Sequence, residues 1–362
     1  MKRAFKPFTP MLMTKSELHT TALKINNFSR MKIFFLVLCL SFSPFTQTGC
    51  TENTPEIDNL RPDEKNKLST IELIKDSNFQ KGFIQQGNNS SNVTHIKIAT
   101  DAKQEPDWLL SQWFSDFVLT DDDLVLISEN SYKLENDANK ISITKDDDGN
   151  SVLSFFTSGR LEWGENTVRT DGEAWPHFLF SQNINNCPPL NELEKIMFKT
   201  EVRVKSWIVN FPELYDPRIH AVRFRLNFVV KNINKNSEAY NDFFWFVMTF
   251  FDNRHLFMPE TGKLDEGNEN KKGSGKYIYG ADAKQYLSKS LHQLDWVSID
   301  VDVLPLVKKG LQNAQKGGYL PISDNLGDYA IRSFNFGYEL TANIDIESQI
   351  KNLSVTAFSK ED

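Results

Sequence analysis

The stretch of sequence that decides the fold is residues 219–230, IHAVRFRLNFVV. Successive side chains of a β-strand point to opposite faces of its sheet, so this alternation predicts a strand with two chemically different faces. The predicted core face carries His220, Val222, Phe224, Leu226, Phe228 and Val230. The predicted outer face carries Ala221, Arg223, Arg225 and Asn227. The two guanidinium groups on that face should stand about 7 Å apart, given the rise per residue of a strand.

A rhythm of short strands and turns continues through most of the chain. Further strands are predicted at residues 93–98, 124–127, 141–144, 152–157, 178–181, 198–205, 243–251, 296–303, 334–340 and 353–358. The Asp-Gly pair within residues 146–150 indicates a hairpin. One helix is predicted over residues 304–316, with Pro305 in its first turn and Gly317 directly after its end. Many strands with few helices predict an all-β fold, namely an antiparallel two-sheet β-sandwich of jelly-roll type with one or two short helices.

The arrangement of three polar rows depends on which strands share a sheet. Strands 221–230 and 243–251 are predicted to be adjacent and central, because their connection suits a hairpin and the second strand is apolar on both faces. Strand 198–205 presents Lys199, Glu201, Arg203 and Lys205 outward, and strand 334–340 presents Asn335 and Glu339. If these strands share one sheet with Arg223, its outer face is either a ligand surface or a solvated exterior with paired charges.

The N-terminal part of the chain predicts export. Residues 31–41, MKIFFLVLCLS, combine a basic start with an apolar run that is too short for a transmembrane helix, and Thr48-Gly49-Cys50 follows. This pattern resembles a bacterial lipoprotein signal, with Gln47 where the commonest form has Leu. The predicted organisation is an upstream extension (1–30, explained by a misassigned start), a signal peptide (31–49), a polar tether (50–68) and one β-sandwich domain with an N-terminal elaboration (69–362). The predicted location is the cell envelope, on either side of the outer membrane, with a lipid on Cys50.

Charge and cysteine content exclude several classes of function. The chain has a formal charge of −7, and because its first 49 residues hold seven basic residues and one acid, the remainder has 34 bases, 47 acids and a charge of −13. Nucleic acid is therefore not an expected partner, and an anionic ligand would need a local basic patch. Cys187 is the lone cysteine of the predicted domain and is expected to be structural. No metal and no cofactor are predicted, since residues 146–148 lack the spacing of a calcium loop.

Carbohydrate recognition is the chemistry that the polar and aromatic residues favour. Residues 160–177 concentrate two Trp, two Arg, several acids and a His. Aromatic rings cover the apolar face of a pyranose, while planar polar side chains hydrogen-bond to its hydroxyls. The predicted carbohydrate-binding residues are Trp163, Arg169, Glu173, Trp175, His177, Arg223, Arg225, Asn227, Asn335 and Glu339.

The signal, the tether, the Trp-rich strands and residues 296–302, WVSIDVD, together resemble the concanavalin-like or jelly-roll β-sandwich domains of secreted polysaccharide-utilisation proteins. The resemblance is architectural and covers residues 90–358. Sandwich glycosidases of this class carry a Glu-x-Asp-x-x-Glu strand, and sandwich alginate lyases carry Gln-Ile-His and Tyr-Phe-Lys strands. Neither pattern is present in this sequence, so no catalytic residue is carried over.

The sequence therefore predicts a membrane-anchored, non-catalytic glycan-binding lipoprotein. An anionic polysaccharide is favoured because guanidinium groups match carboxylates in paired hydrogen bonds, with Trp163 or Trp175 as a stacking platform. One alternative is a polysaccharide lyase, with His177 or Tyr279 as its base. Another is a glycosidase that uses Glu173 and Glu339. The last is a structural or adhesive surface protein.

Replacing Cys50 with Ala tests the predicted anchor. The variant should move from the membrane fraction to the soluble fraction, because it lacks the thiol that would carry the lipid. Fractionation and a fatty-acid probe measure this change. Membrane association that persists in the variant, together with an unlabelled wild-type protein, would contradict the prediction.

Overall fold

The computed structural model describes residues 68–87, 93–98, 104–268 and 271–360. The predicted extension, the signal peptide, Cys50 and the tether as far as residue 67 lie outside the described residues. Within the described part, no helix has the length and apolar character needed to cross a membrane.

The described residues form mostly strands. The strands are β1 Leu68–Glu72, β2 Gly82–Gln86, β3 Val93–Lys97, β4 Trp108–Ser111, β5 Leu124–Ser128, β6 Ser131–Glu135, β7 Asn139–Lys145, β8 Ser151–Thr157, β9 His177–Asn183, β10 Leu193–Val209, β11 Val222–Asn232, β12 Phe243–Asp252, β13 Thr261–Leu264, β14 Gly267–Asn268, β15 Lys271–Lys272, β16 Tyr277–Gly280, β17 Val297–Asp302, β18 Tyr329–Leu340 and β19 Ile344–Lys360. The α-helices are α1 Gly159–Trp163 and α2 Leu304–Lys316, and short 3-10 turns occur at Asp121–Asp123, Pro212–Leu214, Ala283–Gln285, Leu291–Gln293 and Leu326–Asp328.

Two large sheets contain nearly all of these strands. Sheet A has the order β17-β10-β19-β8-β7-β6-β5, and β1 pairs with the far end of β19. Sheet B has the order β13-β16-β12-β11-β18-β9-β4-β2-β3. The pairs β12–β16 and β2–β4 are parallel, and the other pairs of the two sheets are antiparallel. The predicted all-β, two-sheet sandwich is confirmed.

Aromatic side chains join the two sheets in the core. Phe155 on β8 of sheet A packs against five rings of sheet B, and the three shortest centroid distances are 4.6 Å to Tyr338, 5.4 Å to Phe180 and 5.4 Å to Phe224. Edge-on and tilted contacts of this kind add to the stabilisation from apolar burial. The sequence alternation of β11 is also confirmed, since Phe224, Leu226 and the other apolar residues of its core face are fully buried.

Several local predictions agree with the structure. Strands β11 and β12 are adjacent near the middle of sheet B, and α2 spans the predicted residues 304–316. Gly149, with a φ of 81°, lies in the predicted turn between β7 and β8. Cys187 is buried, as expected of a structural thiol, and burial raises its pKa to about 11.

Other predictions need correction. Strand β10 pairs with β17 and β19 in sheet A, whereas β11 and β18 belong to sheet B. The polar row of Lys199 and Arg203 therefore lies on the other side of the sandwich from Arg223 and does not extend the same surface. The strands predicted from the sequence also do not include β1, β2 or the buried strand β4.

Gly337 tests how closely β9 and β18 approach beside Arg225. Its φ is 140°, and an added Cβ would lie 2.0 Å from the carbonyl oxygen of Phe178. Gly318 is the control, because it has a φ of 77° and open space around it among the described residues. Gly318→Ala should lower the free energy of unfolding by about 1 to 2 kcal/mol through strain alone. Gly337→Ala should lower it by about 3 kcal/mol or more, because overpacking is added. Urea unfolding measures both, and equal losses would contradict the role of close packing.

Candidate functional site

The candidate site is the outer face of sheet B, on the side away from Phe155. Strand pairing places His177, Glu339, Arg223 and Asp252 in one row across β9, β18, β11 and β12, and we name these four residues the first row. A second row contains Ser181, Asn335 and Asn227. Arg225 lies between the two rows on β11, opposite Gly337. The pairing thus brings together six of the predicted carbohydrate-binding residues, namely His177, Arg223, Arg225, Asn227, Asn335 and Glu339.

Arginines and carboxylates form a network within and beside the first row. Glu339 contacts the Nη2 of Arg225, and its Oε2 lies 3.7 Å from the Nη1 of Arg223. Arg223 also donates from Nε to the Oδ2 of Asp252 at 3.2 Å. Arg254 donates two hydrogen bonds to the same carboxylate, from Nε to Oδ1 at 2.8 Å and from Nη2 to Oδ2 at 2.6 Å. Three guanidinium groups therefore share two carboxylates on a partly buried surface.

Burial and mutual repulsion determine the electrostatics of this network. Burial would raise the pKa of Asp252, but the hydrogen bonds and charges of Arg254 and Arg223 outweigh it, so this pKa lies below its usual value. Burial lowers the pKa of Arg223, and repulsion from Arg254 lowers it further. Burial also lowers the pKa of Arg225, and repulsion from Arg223 adds to that effect. The pKa of Lys263 on β13 is lowered by burial and then by Arg223 and Arg225, which places a fourth cation near the group.

On β11 of this face, the Nε of Arg225 and the Oδ1 of Asn227 are buried without a hydrogen-bond partner among the described residues. Asn227 uses its Nδ2 to donate to the Oδ1 of Asn335 at 2.6 Å. Most buried polar groups in proteins are hydrogen-bonded, because an unpaired one is destabilising. The face therefore offers one unused donor and one unused acceptor on the same strand.

The segment before β9 brings aromatic and charged groups to the end of the first row. The ring of Trp175 stacks on that of His177, at 5.7 Å and 25°. The guanidinium of Arg169 lies 5.1 Å from the Trp175 ring, and its Nε donates to the carbonyl oxygen of Glu173 at 2.9 Å. Glu173 itself is exposed and accepts a hydrogen bond from the backbone N–H of Thr170. Arg169, Glu173 and Trp175 are thus tied to one another beside His177.

Two predicted residues lie elsewhere. Trp163 ends α1 and packs, partly buried, against the core, and no contact of the described residues joins it to Arg223 or Arg225. Tyr279 pairs with the core residue Phe246, is 1% exposed and packs at 6.1 Å from that ring. Burial also raises the pKa of its hydroxyl. The suggestion of Tyr279 as a catalytic base therefore needs correction, because its side chain lies on the opposite face of the sheet from the arginines.

Asp252 and Arg254 are not among the residues that the sequence predicts for the site. Residues 252–255 form a turn, with Asp252 and His255 bridged. The same turn also supplies the carboxylate that holds Arg223. The available signal was an Asp at the end of the strand predicted to pair with the arginine-bearing strand.

Comparisons with known proteins found no matching family model and no matching curated protein. Among solved structures, a family 12 xyloglucanase from Bacillus licheniformis has a TM-score of 0.34 at 11% identity, covering 65% of this chain and 96% of that one. Endoglucanase Cel12A from Rhodothermus marinus has a TM-score of 0.32 at 9% identity, covering 64% and 92%. A xyloglucanase domain from Sinorhizobium fredii, in complex with cellobiose, has 0.29 at 13%, covering 62% and 96%. At these scores the similarity carries no conclusion about the activity of this chain.

Asp252→Asn should lower the free energy of unfolding by about 3 kcal/mol at neutral pH, because it leaves Arg223 and Arg254 without their shared charge. The native pKa of Asp252 is depressed, so its contribution is present above the unfolded value of about 4 and is lost as the pH falls through the lower native value. Urea unfolding between neutral and acidic pH should show the gap to wild type closing below about pH 4. Asp300→Asn, which breaks the exposed pair with Lys199, is the control and should change little. A gap that does not depend on pH would contradict the assignment.

Proposed function

We propose that the outer face of sheet B binds an anionic polysaccharide without cleaving it, in a protein held at the cell envelope through Cys50. The observation that carries the proposal is the position of Arg225. Its Nη2 contacts Glu339, while its Nε is buried without a partner among the described residues.

Local charge favours an anionic ligand. The cluster contains four cations, Arg223, Arg225, Arg254 and Lys263. Three acids lie among them, Asp252, Glu339 and Asp265. One positive charge therefore remains on a surface where desolvation is unfavourable to unpaired ions. A uronate or sulfate group of a glycan would neutralise it, and guanidinium matches such groups through parallel hydrogen bonds.

Hydrogen bonding favours a hydroxyl-bearing ligand on the same strand. The unused Oδ1 of Asn227 can accept a hydrogen bond from a sugar hydroxyl, while the unused Nε of Arg225 can donate one to a carboxylate. Asn227 and Arg225 are two residues apart on one face, about 7 Å along β11. A ligand that carries both a carboxylate and hydroxyls within that distance matches the spacing of these two residues.

The ion pairs weigh against hydrolysis on this face. A glycosidase needs one carboxyl group that is protonated at its working pH and a second one that is ionised. Asp252 has a lowered pKa, and Glu339 is shared between Arg223 and Arg225. Glu173 contacts its own loop at Thr170.

A glycosidase is nevertheless the second candidate, on one specific observation. Glu339 and Asp252 flank Arg223 in the first row, and so their strands are two spacings, about 10 Å, apart. Inverting glycosidases hold their two carboxyl groups at a comparable separation, about 6.5 to 9.5 Å.

Calorimetry with polygalacturonate and with neutral xyloglucan tests the proposal. Wild type should bind polygalacturonate more tightly than xyloglucan. Arg225→Lys should weaken polygalacturonate binding about tenfold, because Lys keeps the charge but lacks the planar fork. The matched control is Arg203→Lys on the outer face of sheet A, where Arg203 contacts Gln349 and the Trp296 ring.

Each outcome separates the candidate functions. Equal losses in the Arg225 and Arg203 variants would contradict a site on sheet B. Preference for xyloglucan would remove the anionic part of the proposal. New reducing ends that disappear in Glu339→Gln would indicate a glycosidase, unsaturated ends would indicate a lyase, and no binding would favour a structural or adhesive role.

A further inference from the structure

Two exposed aromatic residues lie at the end of the first row. Trp113 is 37% exposed and Phe114 is 41% exposed, although the flanking Gln112 and Ser115 are buried. Both belong to the loop that follows β4. The backbone N–H of His177 donates to the carbonyl oxygen of Trp113 at 2.9 Å, so the loop continues the first row by one strand position.

The rings surround His177. Trp113 meets the imidazole edge-on at 5.5 Å, Phe114 is tilted to it at 6.2 Å, and Trp175 stacks on it. Three aromatic side chains thus contact His177, which is itself only 8% exposed. Single exposed aromatic residues are common on proteins, but a cluster of aromatic side chains that packs on a buried residue and is exposed to solvent on its other side is a feature of binding sites.

Hydrogen bonds hold this loop in a strained conformation. Phe114 has a φ of 59°, a left-handed value that is uncommon for a bulky side chain. On one side, the Oε1 of Gln112 accepts from the N–H of Leu119 at 2.9 Å. On the other, the Oγ of Ser115 donates to Glu162 at 2.7 Å. Strain of this kind persists only where the surroundings determine it, and it concentrates at ligand sites.

We infer that Trp113 and Phe114 form the aromatic subsite of a glycan site that runs across the strands of sheet B towards Arg223 and Arg225. This inference rests on the proposed function. From Trp113 the row passes His177 and Glu339 to Arg223, which is three strand spacings, about 14 Å. That length suits a short oligosaccharide, with one sugar over the exposed rings and an acidic sugar at the arginines.

The geometry gives the two ends different roles. The aromatic end offers the exposed ring surfaces of Trp113 and Phe114, so it favours the flat face of a pyranose whether or not that sugar is acidic. The arginine end recognises the carboxylate. Trp113 and Phe114 therefore contribute affinity for the chain, while the arginines set its charge preference.

Calorimetry with purified oligogalacturonates of increasing length tests the inference. Trp113→Ala and Phe114→Ala should each weaken binding of the longer oligomers about tenfold, the loss expected for one well-packed ring. Trp113→Phe keeps a ring and should recover most of that affinity. Tyr240→Ala is the matched control, because Tyr240 is 43% exposed on the connection between β11 and β12, at the far end of sheet B.

The outcomes distinguish this inference from the proposed function. Tight binding by wild type with unchanged affinity in both Ala variants would overturn the subsite and leave the proposed function standing. Equal losses in Trp113→Ala and Trp113→Phe, in proteins with unaltered thermal unfolding, would also overturn it. No oligogalacturonate binding by wild type would overturn both.

Discussion

The ion pairs of Arg223 with Asp252 and Glu339 are the constraint on which the outer face of sheet B depends. They join β11 to both of its neighbours, β12 and β18. Partly buried charges are tolerated only when they are paired, and a one-residue slip of β11 would turn both arginines into the phenylalanine-rich core. The alternation of apolar and polar residues along β11 therefore determines the register of β11 with β12 and β18, and it places Arg223 and Arg225 on the outer face.

Local patterns account for what the sequence predicted. Alternation identified both faces of β11, and Pro305 and Gly317 marked the ends of α2. Sheet membership could not be predicted in this way, because β10 has the same alternation as β11 but pairs in the opposite layer. Asp252 was missed for a related reason, since its role comes from a neighbour 29 residues away in sequence. The sequence thus predicted which side chains share one face of a strand, but it did not predict which strands are neighbours.

The local cation excess exists within a chain whose charge after residue 49 is −13. An acidic polymer is repelled at long range, but at physiological salt this repulsion fades beyond a Debye length of about 8 Å. Within that distance the guanidinium groups of Arg223 and Arg225 dominate. Net charge would then slow association, whereas contact geometry would determine how long the complex lasts, so the chain's overall acidity is compatible with an anionic ligand.

The position of the exposed aromatic pair depends on the other sheet. Asn139, on β7 of sheet A, donates from Nδ2 to Glu162 and to the carbonyl oxygen of Phe117, each at 2.8 Å. Glu162 in turn accepts from Ser115, next to Phe114. Burial raises the pKa of Glu162 even though these two donors favour its charged form. These hydrogen bonds connect the loop to β7, so sheet A fixes the loop on its buried side while sheet B supplies the polar row beside it.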